Sequence, residues 1–341
     1  MNYRQLGRTG IYVSEICLGT MTWGGQGFWK SIGELQLDGV EKHLRTAFDA
    51  GVNFIDTANV YHEGLSEELL GQALARIGRP RHEVVVATKV RGRMGDSPNA
   101  VGLTRSHILH QVDESLKRLD LDYIDLYQVH GVDPLTPIEV TLRVLDDLVR
   151  SGRVRHLGVS NFAAWQIMKA LGTSDKLGLD RFESAQMYYS LATRDIEDEV
   201  APLCLSEGLG ILAWSPLSGG LLTGKFTRAG GPDGARRTAF DFPPVDTEHV
   251  WPVIDVLKDI AADHDCSVAR VAVAWVLSRP AIASVIIGAR TESQLQDNLA
   301  AADLDLGEDE LLRLEKVSAV FKRYPGWMIE FQGANRLLPP E

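Results

Sequence analysis

Short apolar runs rich in β-branched residues recur along the chain, and amphipathic stretches separate them. The eight runs lie at 15–18, 52–56, 84–88, 123–129, 156–159, 184–187, 211–214 and 284–287. Continuous apolar runs of this length are typical of strands buried on both faces, as in a parallel sheet. The intervening stretches favour helices, most clearly at 104–120, where apolar residues share one helical face and Thr104 is a suitable N-cap. Eight strand-then-helix units predict an α/β fold, a (β/α)₈ TIM barrel.

Three segments depart from this repeat. Residues 3–13 carry turn signals between short extended pieces and predict an N-terminal hairpin. A long insertion, about 225–281, separates the seventh and eighth strands; its part at 229–244 is rich in Gly, Pro and Asp and predicts a mobile loop, followed by one or two helices. A last helix near 308–321 precedes an aromatic C-terminal tail. Because no convincing linker interrupts the chain, we expect one domain over 1–341.

Composition narrows the classes of function. The 341 residues carry a net charge of −11, so nucleic acid is not an expected partner. Three widely spaced cysteines argue against a disulfide framework or a zinc site, and no metal is expected. The polar N-terminus lacks a signal-peptide core, and no apolar run approaches the roughly 20 residues of a spanning helix. These features predict a cytoplasmic protein without a membrane partner.

Of two common nucleotide-binding motifs, one is absent and the other is incomplete. The G-x-G-x-x-G fingerprint does not follow the first predicted strand. A G-x-x-x-x-G-K sequence does occur at 219–225, but Phe226 stands where a Walker loop needs Ser or Thr to bind magnesium. A loop whose backbone amides face some other phosphate remains open.

Polar side chains follow three successive predicted strands. Asp56 ends the run at 52–56 and Tyr61 comes soon after it. Lys89 follows the run at 84–88, and His130 follows the run at 123–129. Because the carboxyl ends of barrel strands meet at one face, we expect an acid, a phenol, an amine and an imidazole to converge there. Asp56 is the natural partner for Lys89. The alternative interpretation is a purely structural ion pair at the barrel rim.

This set of groups suits the reduction of a carbonyl. An ammonium about 4 Å from a phenol favours the phenolate by up to about 4 kcal/mol at an effective dielectric near 20, so we expect Lys89 to lower the pKa of Tyr61, before any offset from desolvation. Tyr61 would then protonate a developing alkoxide, and a neutral His130 would donate a hydrogen bond to the same oxygen. The reaction also needs a cofactor that donates hydride.

With these residues the chain resembles the aldo-keto reductase family over nearly its whole length. The segments that carry the resemblance are 54–58 with Tyr61, 64–67, 87–89, 122–126 leading to His130, 158–162, 214–217, 288–290 and Asn298. The resemblance implies a (β/α)₈ barrel that binds NADP(H) across its strand ends. It also implies that Asp56, Tyr61, Lys89 and His130 are catalytic, with Tyr61 as the proton donor.

The resemblance further implies a set of cofactor-binding residues. They are Gly19, Thr20, Met21, Asp56, Ser160, Asn161, Gln186, Trp214, Ser215, Pro216, Leu217, Ser218, Gly220, Lys225, Gly288, Arg290, Gln294 and Asn298. Ser160, Asn161 and Gln186 would hold the nicotinamide carboxamide. Trp214 stands where many members stack a Tyr on the nicotinamide, and His62 replaces a Gly that is common in the family.

The physics of the last two loops favours NADP(H) over NAD(H). Phosphates commonly bind after strands seven and eight of such barrels. Gly219, Gly220 and Lys225 follow the seventh strand and suit a pyrophosphate. After the eighth strand Thr291 and Gln294 predict a capping box, and Arg290 beside that helix N-terminus suits a phosphomonoester.

Mostly aromatic residues are expected to line the substrate pocket; the alternative interpretation is that they pack against each other as core. Trp23 and Trp327 are assigned to it with Tyr61 and His130, and further candidates are Phe28, Trp29, Val132, Tyr324 and Met328. No residue demands a charged substrate, so a small aldehyde, aryl ketone or sugar-derived carbonyl is expected. The oligomeric state stays open, and homo-oligomers are compatible with the sequence.

Two other functions stay open at this point. One is an NADP(H)-binding redox-sensing subunit with little turnover, similar to the potassium-channel β-subunits. The other is a Schiff-base lyase that uses Lys89 as its nucleophile, although an adjacent Asp56 that keeps the amine protonated speaks against it.

Overall fold

A computed structural model of the protein describes residues 1–334 and 336. It contains ten strands: β1 (Tyr3–Gln5), β2 (Tyr12–Ser14), β3 (Ile16–Gly19), β4 (Phe54–Asp56), β5 (Val85–Val90), β6 (Ile124–Val129), β7 (Val154–Ser160), β8 (Phe182–Tyr188), β9 (Gly210–Trp214) and β10 (Ile282–Ile287). Strands β3 to β10 are parallel and form a closed barrel, in which β10 pairs with β3. The predicted TIM barrel is confirmed, and each predicted strand is present within a few residues of its expected bounds.

The predicted N-terminal hairpin is also present, as the antiparallel pair β1 and β2. Leu6 in its turn and Val13 in β2 are fully buried. They pack with Phe54, Val85 and Leu126, which point into the barrel from β4, β5 and β6. The hairpin therefore fills the end of the barrel where the strands begin, and the opposite end, where the strands finish, is left for a site.

Helices surround the barrel. Their bounds are α1 (Leu37–Asp49), α2 (Leu65–Ile77), α3 (Arg105–Leu119), α4 (Ile138–Arg150), α5 (Ala164–Leu177), α6 (Val200–Glu207), α7 (Arg236–Ala239), α8 (Thr247–Asp263), α9 (Val268–Leu277), α10 (Glu292–Leu299), α11 (Glu308–Val317) and α12 (Gly326–Ala334). Thr104 caps α3 as predicted, since its side chain accepts a hydrogen bond from the His107 N–H. The cap fixes the residue at which α3 begins.

The segment between β9 and β10 differs in one respect from the sequence-based expectation. Its Gly- and Pro-rich part, expected to be a loop, contains the short helix α7. One or two helices were expected after it, and two are present, α8 and α9. Helix α9 packs against β10, while α8 packs outside it against α9 and α11. Across the described residues, no helix is both long and apolar enough to cross a membrane, and no group of three or more His, Cys, Asp or Glu side chains is arranged to hold a metal.

Candidate active site

The four predicted reactive groups lie together at the ends of three neighbouring strands. Asp56 is the last residue of β4, and Lys89 lies near the end of β5. Tyr61 begins a 3₁₀ turn after β4, and His130 follows β6. Strands β4, β5 and β6 are adjacent in the barrel. The parallel register therefore brings residues that are far apart in the sequence to one face.

An ion pair forms the base of this cluster. The Lys89 ammonium is fully buried and donates to Asp56 Oδ1 at 2.5 Å, to the Thr57 carbonyl at 2.7 Å and to Tyr61 Oη at 3.3 Å. These three contacts use all the hydrogens of the ammonium. Burial by itself would lower the pKa of Lys89, but Asp56 and Tyr61 outweigh it and raise the pKa. Lys89 is therefore held as a cation, which disfavours its use as a Schiff-base nucleophile.

Two glutamine side chains hold the other oxygen of the carboxylate. Gln128 Nε2 donates to Asp56 Oδ2 at 2.9 Å, and Gln186 Nε2 donates to the same oxygen at 2.8 Å. A buried carboxylate is stable only when such donors and a cation satisfy it. Gln128 was not predicted as a site residue; its signal in the sequence is its position two residues before His130, on the same face of β6.

Lys89 acts on the pKa of Tyr61 in the expected direction, but the net shift is upward. Burial raises the pKa of the Tyr61 phenol, and the opposing effect of Lys89 is smaller. The main reason is desolvation of the buried phenol; Asp56, which lies against Lys89, raises the pKa further, so the phenol experiences an ion pair and not a lone cation. Tyr61 consequently keeps its proton at neutral pH, which is the state that a proton donor requires.

His130 is neutral, as predicted. Burial lowers the pKa of its imidazole to about 3, and the nearby charges of Lys89 and Arg91 act in the same direction. The His130 ring lies edge-on to the Tyr61 ring, with centroids 5.8 Å apart. A neutral imidazole and a protonated phenol therefore stand side by side, both able to contact one substrate oxygen.

A cavity of about 640 Å³ opens over these groups. Every predicted cofactor residue except Ser218 lines it, as do Tyr61 and His130. Ser218 is buried behind the wall, where its hydroxyl lies 3.0 Å from Tyr188 Oη and 2.8 Å from Ser190 Oγ. Its assignment to cofactor binding is corrected because these hydroxyls, and not the cavity, surround its side chain.

One wall of the cavity carries Asn161 and Trp214. Asn161 adopts the left-handed conformation, with φ of 58°. Its amide donates to the His130 carbonyl at 3.1 Å and accepts from Trp214 Nε1 at 3.2 Å. The Trp214 ring lies against Tyr188, with centroids 5.0 Å apart, and is stacked with Phe242 at 5.9 Å. This wall is therefore an aromatic stack that the Asn161 amide links to the backbone carbonyl of His130.

The far end of the cavity is basic. Arg290 donates from Nη1 and Nη2 to the Gly234 carbonyl at 3.2 Å, and its own N–H donates to Gln294 Oε1. Thr291 caps α10 as predicted, but Gln294 reaches back to the Arg290 N–H. Arg236 also lines the cavity, and its buried Nε has no hydrogen-bond partner among residues 1–334 and 336. Sequence reasoning missed Arg236; the signal was an Arg pair in the loop after the seventh strand.

Two of the expected substrate residues lie elsewhere. Trp23 is fully buried in the main hydrophobic core, and Trp327 is 43% exposed on α12, none of whose side chains is buried. Neither lines the cavity. The assignment of Trp23 is corrected because its side chain packs in the core, and that of Trp327 because no residue of α12 lines the cavity. Phe28 and Trp29 do line the cavity, as expected.

Comparison with known proteins gives a consistent result. The model of the aldo/keto reductase family matches residues 15–319. The uncharacterized oxidoreductase YrpG of Bacillus subtilis is 37% identical, over 92% of this chain and 94% of its own. A probable voltage-gated potassium channel subunit beta of Arabidopsis thaliana is 36% identical, over 89% and 92%. The versiconal hemiacetal acetate reductase of Aspergillus parasiticus is 33% identical, over 96% and 99%.

Proposed function

Because the chain belongs to the aldo/keto reductase family, we propose that it reduces aldehydes and ketones to alcohols with NADPH, using Tyr61 as the proton donor. The observation that carries this proposal is the Tyr61 hydroxyl at the cavity wall, 3.3 Å from the Lys89 ammonium, in a buried position that raises its pKa. Phenol, ammonium and neutral imidazole together are suited to an oxygen that gains negative charge during the reaction.

The cavity fits a dinucleotide that carries phosphates. Its basic end supplies the Arg236 guanidinium, whose buried Nε has no partner within the described part of the chain, and the Arg290 guanidinium, which donates to the Gly234 carbonyl. The buried Arg236 Nε is costly unless an acceptor satisfies it, and phosphate matches the planar geometry of both guanidinium groups. Gly219 and Gly220 line the stretch between this end and Trp214 and leave it open to a pyrophosphate.

Each side chain of the cluster has a task in this reaction. NADPH, when bound, supplies the hydride that the carbonyl carbon accepts. Tyr61 Oη donates its proton to the carbonyl oxygen, so the alcohol leaves neutral. The Lys89 ammonium then stabilises the phenolate that remains, and Asp56 keeps that ammonium charged and oriented. His130 orients the carbonyl oxygen by a hydrogen bond.

A panel of carbonyl compounds tests the activity directly. We expect the purified protein to oxidise NADPH with small aliphatic aldehydes, aryl aldehydes or aryl ketones, because the cavity is lined by aromatic side chains and a proton donor. The measurement is the loss of NADPH absorbance, with alcohol formation followed by chromatography. Tight binding of NADPH with negligible turnover across the whole panel would contradict a reductase.

Arg290→Ala should weaken NADPH binding about 10- to 100-fold and leave NADH binding nearly unchanged. The reason is that a charged hydrogen bond to the extra phosphate is lost, and only NADPH carries that phosphate. Dissociation constants for both nucleotides, measured by fluorescence titration, decide the matter. Arg143→Ala is the matched control, since it removes the same charge from an exposed position on α4. Parallel losses for both nucleotides would contradict the assignment of Arg290.

A second candidate function is a redox-sensing subunit that binds NADP(H) with little turnover. It is favoured by the similarity to a relative described as a probable potassium channel subunit beta. A partner protein that co-purifies with the NADPH-bound chain, together with the negligible turnover described above, would support this candidate over the reductase.

A further inference from the structure

The segment that follows β3 builds the substrate-facing wall of the cavity. Met21, Phe28, Trp29 and Ile32 all line the cavity from this segment. Its middle part, 27–31, is a short 3₁₀ helix with no buried residue, so little packing holds it in place. What fixes this segment therefore decides the shape of the space above Tyr61.

The imidazole of His62 forms hydrogen bonds with both ends of residues 21–26, the first part of this segment. His62 Nδ1 accepts a hydrogen bond from the Gly25 N–H at 2.8 Å, with Gln26 N at 3.4 Å. His62 Nε2 lies 3.0 Å from the Met21 carbonyl, so Nε2 carries the hydrogen and donates it. The side chain is fully buried. One ring therefore links the two ends of 21–25 and holds a single tautomer.

The fit between the ring and the segment is close. A Cβ on Gly24 would lie 2.5 Å from the imidazole ring, so only glycine permits this approach. His62 itself adopts a left-handed conformation, with φ of 50°. That conformation disfavours a residue with a side chain. The contacts of the imidazole offset this cost, since the backbone conformation alone would suit glycine better.

One aromatic side chain, that of Trp29, contacts both His62 and the proposed proton donor Tyr61. The centroid of the Trp29 ring lies 5.7 Å from that of the His62 ring and 5.6 Å from that of the Tyr61 ring. Phe28 meets Phe240 edge-on at 5.2 Å on the other side of the cavity mouth. The edges of these rings border an apolar space. An aromatic substrate can make ring contacts there that a short aliphatic substrate cannot make.

We propose that His62 is a positioning residue that sets substrate specificity: its imidazole fixes the segment 21–26 so that Trp29 stands beside Tyr61 and the site favours aryl carbonyl compounds over small aliphatic ones. This inference rests on the proposed reductase function. His62 does not touch the substrate; it acts through Trp29.

His62→Gly tests the proposal with two substrates. The variant removes the ring and keeps the left-handed backbone, so the fold is retained. We expect KM for benzaldehyde to rise about tenfold, the effect of losing the contacts that place Trp29. KM for propanal, kcat for both aldehydes and the dissociation constant of NADPH should change by less than about twofold. Equal changes in KM for both aldehydes, or none, would overturn the proposal.

A second variant and a second measurement separate positioning from a general loss of stability. His62→Asn tolerates the left-handed conformation and keeps an acceptor for the Gly25 N–H, so it should restore part of the discrimination between the aldehydes. His107→Asn, which alters another buried histidine at a distance from the cavity, should leave that discrimination unchanged. A benzaldehyde-to-propanal ratio that falls as much in His107→Asn as in His62→Gly would overturn the specificity role.

Amide hydrogen exchange measures the hydrogen bonds between His62 and residues 25–26 without any substrate turnover. The Gly25 and Gln26 amides should exchange slowly in the wild type, faster in His62→Gly and at an intermediate rate in His62→Asn. Unchanged exchange in His62→Gly would overturn the positioning role, whatever the kinetics show. If the wild type reduces neither aldehyde, the proposed function fails and the specificity role fails with it, and the exchange rates then decide the structural tie alone.

Discussion

Replacing Tyr61 by Phe should lower kcat for carbonyl reduction by about 10²- to 10⁴-fold, the usual contribution of a positioned general acid. The ring that packs beside Trp29 and His130 stays, and only the hydroxyl that would donate the proton is lost. NADPH affinity should change little, because the phosphate-binding groups lie at the other end of the cavity. Because burial raises the pKa of Tyr61, the phenol of the wild-type protein should stay protonated, and able to act as the acid, up to about pH 10.

The matched control is Tyr127→Phe. Tyr127 is fully buried on β6, and its hydroxyl has no hydrogen-bond partner in the described residues. The same atom is thus removed from a core position outside the cavity, and steady-state rates should stay within about twofold of the wild type. A Tyr61→Phe enzyme as fast as the wild type would exclude Tyr61 as the acid.

Replacing Lys89 by Met should destabilise the protein by about 3–5 kcal/mol as well as abolish most activity. The substitution leaves the Asp56 carboxylate buried without its cation, with only the amides of Gln128 and Gln186 as donors. The free energy of unfolding, measured in urea, should fall accordingly, and kcat should fall because nothing stabilises the Tyr61 phenolate.

The double variant Lys89→Met/Asp56→Asn separates the two effects. Neutralising Asp56 removes the uncompensated charge, so most of the lost stability should return. Activity should not return, because the ammonium next to Tyr61 is still missing. If the double variant recovered activity together with stability, the cation would have a structural role only.

The aromatic residues of the site show how far sequence patterns reach. The sequence places Trp23, Phe28 and Trp29 in one segment after the first barrel strand, and it offers no means to tell which faces the cavity. In the folded chain Trp23 is in the core, whereas Trp29 lines the cavity beside Tyr61. Direction depends on the turns at Gly24 and Gly25 and on the tie to His62, which are contacts between separate segments.

The titratable groups of the site show the same limit of sequence-based prediction. The convergence of Asp56, Lys89 and His130 follows from the sequence because each ends a buried strand, and parallel strands of a barrel end at one face. The pKa of Tyr61 does not follow from it. Its direction depends on the depth of burial and on the contact between Asp56 and Lys89, and only coordinates give these.

The sequence by itself determined the barrel, the hairpin before it and the strand ends that carry the reactive groups, because continuous apolar runs and turn signals are local properties of the chain. Tertiary structure alone decided the rest. Gln186 contacts Asp56 across 130 residues of sequence. Arg236 lines the cavity from the short helix α7, which no hydrophobic periodicity predicts. Such contacts form between side chains of distant segments, and their energies depend on burial and distance, which a linear pattern does not contain.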